Sequence, residues 1–139
     1  MRIDTGTEFG QRAARRLRED MIYWLVTVGT GGTPQPSPVW ALWDGATFLI
    51  YSRPYTPKLG NITRHPRVAL HLDGDGRGGN IVTVTGEARL APDAPPADRV
   101  PEYVTKYREG MRAIGMTPES FARAYSVAFR ITPRHLRGH

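Results

Sequence analysis

The chain has 139 residues, 40% hydrophobic and 23% charged, which fits one domain over residues 1–139 with a real core. It has no cysteine, so disulfides, thiolate nucleophiles and thiolate metal sites are excluded. Lys and Arg number 19 against 13 Asp and Glu, a net charge of +6 that suits either plain solubility or an anionic partner.

The first residues contain no apolar leader, and no apolar run reaches the ~18 residues of a membrane span, so a cytoplasmic location without membrane contact is expected. Thr5-x-x-Glu8 has the form of a capping box, and Phe9, Ala13 and Leu17 follow at helical spacing, predicting a helix over about Thr7 to Asp20. Ile22 to Val28 is β-branched and aromatic and reads as a buried strand. The glycine-rich turn at Gly29 to Thr33 returns the chain as a hairpin partner over about Gln35 to Trp43. Pro34, Pro36 and Pro38 cannot donate to a ladder, which puts that strand at an edge or leaves one side open to a ligand. Alternation along it places Trp40 and Trp43 on opposite faces, one in the core and one on the barrel exterior or an interface.

Asp44-Gly45 turns into a third strand, Thr47 to Ser52. A short helix over Lys58 to Arg64 is stopped by Pro66 and followed by a fourth strand, Arg67 to Asp73. Ile81 to Leu90 has the clearest period of two, with Val82, Val84, Gly86, Ala88 and Leu90 on one face. Pro101 to Ile114 reads as a helix with Tyr103, Tyr107, Met111 and Ile114 along its core stripe. A short helix, Pro118 to Ala124, and a sixth strand, Tyr125 to Ile131, complete the chain. The order predicts a mostly β, α+β fold: a small antiparallel barrel with segregated helices.

Several motifs match in letters and fail in context. Gly74 to Gly79 fits G-x-G-x-x-G but precedes a strand instead of opening a helix, so it is a hairpin loop. Asp73 and Asp75 begin like a calcium loop, but Arg77 and Val84 occupy positions that need oxygen ligands. The histidines, His65, His71, His135 and His139, have no zinc-binding spacing, and no metal is expected. No G-x-S-x-G elbow supports serine hydrolysis.

The informative stretch is Ser52 to Pro66. A helix start favours negative charge, and here it carries Arg53, Thr56 and Lys58, with Arg64 one turn on. The plain reading is a solvated basic face that also includes Arg67; the sharper one is a phosphate site. Val39, Trp40 and Trp43 add flat apolar surface suited to a planar ring. Phosphate beside ring points to a flavin-like cofactor.

These residues resemble a known family. Pro38-Val39-Trp40, Ser52 through Lys58, and Asn61-Ile62-Thr63-Arg64-His65-Pro66-Arg67-Val68 are similar to the PVWF … S … TxKxxNLRRDPRV pattern of the flavin/deazaflavin split-barrel oxidoreductases, the pyridoxamine 5′-phosphate oxidase-like proteins. Tyr125 to Gly138 resembles their last strand, and the likeness runs from about residue 8 to residue 137. The short form is similar to the branch that uses coenzyme F420. The resemblance implies a six-stranded antiparallel split β-barrel with short flanking helices, and a homodimer with cofactor sites in the interface. It implies that Ser52, Thr56 and Lys58 hold the cofactor phosphate and that Asn61 and Arg64 support the phosphate or tail. Gln35, Pro36, Ser37, Val39 and Trp40 would line the ring, and the partner's C-terminal half would complete the pocket. No second phosphate site matches, so the resemblance does not extend to vitamin B6 oxidation.

The implied activity is hydride transfer between reduced coenzyme F420 and an electron-poor double bond of a conjugated small-molecule substrate. Ser37, His71 or solvent would supply the proton. One alternative is an FMN-dependent oxidase or reductase on the same barrel. Another is a non-catalytic cofactor- or tetrapyrrole-binding protein. Against a nucleic-acid partner, the open face of the fifth strand carries Thr83 and Thr85 where stacking would need aromatics.

Overall fold

In the computed structural model, which describes residues 1–139, the chain enters through helix α1 (Glu8–Glu19). Its N-cap is Thr7, whose Oγ1 accepts the Gly10 amide at 2.9 Å. The capping-box reading of Thr5 is therefore corrected by two residues. Ala13 and Leu17 face inward and join the larger core cluster.

The strands are β1 (Tyr23–Val28), β2 (Pro34–Val39), β3 (Leu42–Trp43), β4 (Phe48–Ser52), β5 (Arg67–His71), β6 (Val82–Leu90) and β7 (Val127–Gly138). They form one antiparallel sheet in the order β2-β1-β5-β6-β7-β4-β3. The expected hairpin partner of β1 is thus two strands, and the total is seven rather than six. The break falls at Trp40–Ala41 and has a specific cause. The Ala41 amide donates to the Tyr107 hydroxyl at 2.9 Å, and the Ala41 carbonyl accepts from Lys106 Nζ at 3.0 Å. Side chains of a helix satisfy the backbone groups that a ladder would otherwise use.

This break curls the sheet. β2 is one edge and β3 the other, yet only two residues separate them in sequence. The edges must therefore lie close together, which half-closes a barrel. A bulge between Thr85 and Gly86 bends β6 where it pairs with β7. Gly86 is required there, because a Cβ would sit 2.3 Å from the Thr132 carbonyl oxygen.

Two cores result. Tyr23, Leu25, Phe48, Ile50, Leu70, Val84 and Phe129 fill the barrel. Outside it, helices α3 (Pro101–Ala113) and α4 (Pro118–Ala124) lay Tyr103, Tyr107, Met111 and Phe121 on Leu49, Tyr51 and Ala128. β4 serves both cores and is buried on both faces. Trp43 belongs to the barrel core and Trp40 to the outer cluster. Ile114 does not join the predicted stripe: it is the C-cap of α3 and is 51% exposed. Strand β7 runs seven residues past the expected Ile131, because β6 pairs with it from Phe129 to Gly138.

Candidate functional site

The end of β4, the loop after it and the start of helix α2 (Pro57–Arg64) form one wall of a cleft of about 400 Å³. Ser52 is buried, and its hydroxyl donates to the Arg53 carbonyl at 2.8 Å and lies 3.0 Å from Thr56 Oγ1. Tyr55 turns the loop with a φ of 65°, a left-handed conformation that a non-glycine residue adopts at some cost. Thr56 is the N-cap of α2, but its side chain makes no capping bond, and Pro57 has no amide hydrogen to offer. Lys58 lines the cleft half-buried, and burial lowers the pKa of its ammonium. It has no carboxylate within ion-pair distance. A partly desolvated cation without a counterion favours an incoming anion.

The floor is aromatic. Trp40 stacks on Tyr107 at 4.7 Å and on Phe121 at 5.3 Å, and Phe121 stacks on Tyr125 at 4.3 Å. The Arg53 guanidinium lies over the Tyr125 ring at 4.7 Å, joining the floor to the cationic wall. Ile22 and Ile114 stand at the cleft as exposed apolar residues. The result is a slot with cations and hydroxyls on one side and flat rings beneath.

Of the residues read from the sequence, Val39, Trp40, Ser52, Thr56 and Lys58 meet in this cleft. Gln35, Pro36 and Ser37 do not line it; they run away from it along β2. Asn61 is 3% exposed and fully engaged elsewhere. Its Nδ2 donates to Thr27 Oγ1 at 2.9 Å and to Gln35 Oε1 at 2.8 Å, and its Oδ1 accepts from Arg64 at 2.7 Å. Asn61 therefore fastens α2 to β1 and β2, and neither it nor Arg64 lines the cleft. His71 lies on β5 with its ring stacked on Trp24 at 6.4 Å, also outside. Phe121 and Tyr125 were missed; their spacing of four residues at α4 and its C-cap puts both on one helical face, a signal present in the sequence.

Beneath the floor, Lys106 Nζ donates to the Tyr23 hydroxyl at 2.6 Å and lies over the Tyr23 and Tyr107 rings. Burial pulls its pKa down to about 8, against a smaller opposing pull from Asp20. No group of three or more His, Cys, Asp or Glu side chains is placed to hold a metal ion. No helix is long and apolar enough to cross a membrane.

Residues 9–139 match the family model described as pyridoxamine 5′-phosphate oxidase. No curated protein matches the chain. Several solved structures share the fold. An F420 reductase is 22% identical over 88% of this chain and 94% of that one, with a TM-score of 0.71. A FAD-binding protein from Mesorhizobium loti is 19% identical over 91% and 90%, with a TM-score of 0.66. HutZ, the heme storage protein from Vibrio cholerae, is 14% identical over 99% and 95%, with a TM-score of 0.65.

Proposed function

Since the chain belongs to the pyridoxamine 5′-phosphate oxidase family, we propose that it is an oxidoreductase that seats a flavin-type cofactor in this cleft. In this reading the cofactor is coenzyme F420, with FMN as the alternative, and the substrate is a conjugated small molecule. One observation carries it: Lys58, a half-buried cation without a counterion, adjoins the stacked floor of Trp40, Phe121 and Tyr125. A phosphate fits the first and a planar ring the second. The net charge of +6 favours the more anionic of the two cofactors.

The bound ring would supply hydride transfer. The chain's own part is to fix the phosphate through Ser52, Thr56 and Lys58 and to hold the ring flat against Trp40. Aligned faces and excluded water are the available catalytic levers. Neither Ser37 nor His71 reaches the cleft, so in this reading solvent supplies the proton. The partner is a second copy of the chain, covering the cleft mouth. The non-catalytic tetrapyrrole alternative would need its iron ligand from a tyrosine of the lining or from the second copy, since no histidine of this chain lines the cleft.

The test is a side-by-side fluorescence titration with coenzyme F420, FMN and haemin, repeated for Lys58→Ala. Loss of one charge-assisted hydrogen bond should weaken cofactor binding about 10- to 100-fold. Preference for FMN would move the chain to the flavin alternative. Haemin binding without flavin binding would overturn the oxidoreductase reading.

A further inference from the structure

The cleft holds two cations, and they belong to different sides of it. Among the residues that line it, Arg53 and Lys58 are charged and none is acidic. Successive residues of a strand point to opposite faces, and β4 ends at this place. Ser52 turns to the α2 side, where its hydroxyl lies 3.0 Å from Thr56 Oγ1, and Lys58 stands in the first turn of α2. Tyr51 turns the other way, into the outer aromatic cluster. Arg53 follows Tyr51: its guanidinium lies over the Tyr125 ring at 4.7 Å, and that ring stacks on Phe121. Arg53 is exposed and pairs with no carboxylate. A guanidinium laid over a ring keeps its planar fork of N–H donors free at its edge, a shape that matches a carboxylate. An incoming anion therefore has no ion pair to break. A phosphate held by Ser52, Thr56 and Lys58 answers the first cation and leaves the second without a counterion.

We infer that Arg53 receives an anionic group of the substrate, so that the cleft selects planar conjugated molecules bearing a carboxylate over their neutral counterparts. The inference rests on the proposed function, in which the cofactor phosphate goes to Ser52, Thr56 and Lys58. Stacking alone lets a flat molecule slide or turn over on the aromatic floor. A cation at one edge of that floor fixes where the carboxylate lies, and so which end of the molecule faces the rest of the slot. An amine-bearing substrate meets two cations and no acid, and is rejected.

The test is calorimetric titration of 2-naphthoate and 2-naphthamide, flat molecules of one shape that differ in charge. They are titrated into wild type, Arg53→Gln and Arg53→Lys, each alone and saturated with coenzyme F420 or FMN. Arg53 is exposed, so both variants keep the fold. Wild type should bind naphthoate about tenfold tighter than the amide, the weight of one charge-assisted pair discounted for solvent. Arg53→Gln should lose that tenfold on naphthoate and leave the amide unchanged. Arg53→Lys, which keeps the charge without the fork, should recover only part of it. The preference should persist with the cofactor in place and fade in about 0.5 M salt. Equal binding of the two probes by wild type, or equal losses on both in Arg53→Gln, overturns the inference and leaves the cofactor reading untouched. So does displacement of naphthoate by the cofactor, or a loss of cofactor affinity in Arg53→Gln as large as in Lys58→Ala, since either result hands Arg53 to the cofactor. If neither cofactor binds but the naphthoate preference holds, the oxidoreductase reading fails and Arg53 stands as a carboxylate contact. If no probe binds wild type, both fall.

Discussion

Asn61 shows how one residue can read as a ligand contact and act as a fastener. Its Nδ2 and Oδ1 are committed to Thr27, Gln35 and Arg64. Gln35 and Arg64 are exposed and can turn to water after Asn61→Ala, but Thr27 is 1% exposed and cannot. The substitution should therefore cost about 2–3 kcal/mol, read by urea unfolding. Unchanged stability with weakened cofactor binding would return Asn61 to the phosphate. Lys106 makes a second residue-scale prediction. Its pKa is about 8 in the folded chain, below the ~10.4 of an unfolded lysine. Below pH 8 both states are charged, and the burial penalty stands in full. Between about pH 8 and 10 the unfolded chain binds the extra proton, so folded stability rises with pH. Lys106→Met leaves Tyr23 donating to the Leu17 carbonyl, but the single Tyr107 proton can serve only one of the Met21 and Ala41 carbonyls, 2.7 Å and 3.0 Å away, so one carbonyl there loses its donor. Relief of the burial penalty and loss of a carbonyl's donor oppose each other, so the variant should lie within about 1 kcal/mol of wild type at pH 7, after discounting for solvent screening. Relative to wild type it should lose ground by pH 9.5, as melting temperatures at the two pH values will show.

At the scale of elements, Gly86 is the position where the sheet can least tolerate a side chain. A Cβ would meet the Thr132 carbonyl oxygen at 2.3 Å and Pro133 Cα at 2.9 Å, both backbone atoms that cannot rotate aside. Gly86→Ala should cost about 3 kcal/mol and loosen the β6–β7 bulge, measurable as a lowered melting temperature. An unchanged melting temperature would mean that the bulge can relax. The same elements show what was legible in the chain. The period of two found β6, the prolines put β2 at an edge, and the Thr56–Lys58 helix start marked the cationic wall, because each of these signals is local. The break at Trp40–Ala41 was not legible, because its cause is a side chain 66 residues away. The inward turn of Asn61 was hidden for the same reason, its partners Thr27 and Gln35 being distant in sequence. Ile114 kept helical spacing on paper, but α3 ends at Ala113 and Gly115 turns the chain with a φ of 75°.

At the scale of the molecule, the cleft is a slot with an unfinished rim. Ile22 and Ile114 line it while 37% and 51% exposed, and Met21 beside them is 41% exposed. If the cleft is the hydride-transfer site of the proposed function, apolar side chains left at its edge call for a cover that excludes water. The neighbouring edge strand β2 cannot recruit that cover by strand addition, since Pro34, Pro36 and Pro38 have no amide hydrogens to give. The cover must therefore pack by its side chains, and a second copy brings an equivalent apolar rim by symmetry. In solution the chain should run at twice its 15.5 kDa mass by light scattering. Ile114→Glu places a charge where the two rims would meet, and it should shift the species toward the single-chain mass. If the second copy also completes the site, the same variant should lose about tenfold or more in cofactor affinity, whereas Lys58→Ala should lose affinity and remain a dimer. A single-chain species that binds cofactor as tightly as wild type would place the entire site within one chain and leave the exposed isoleucines to the substrate.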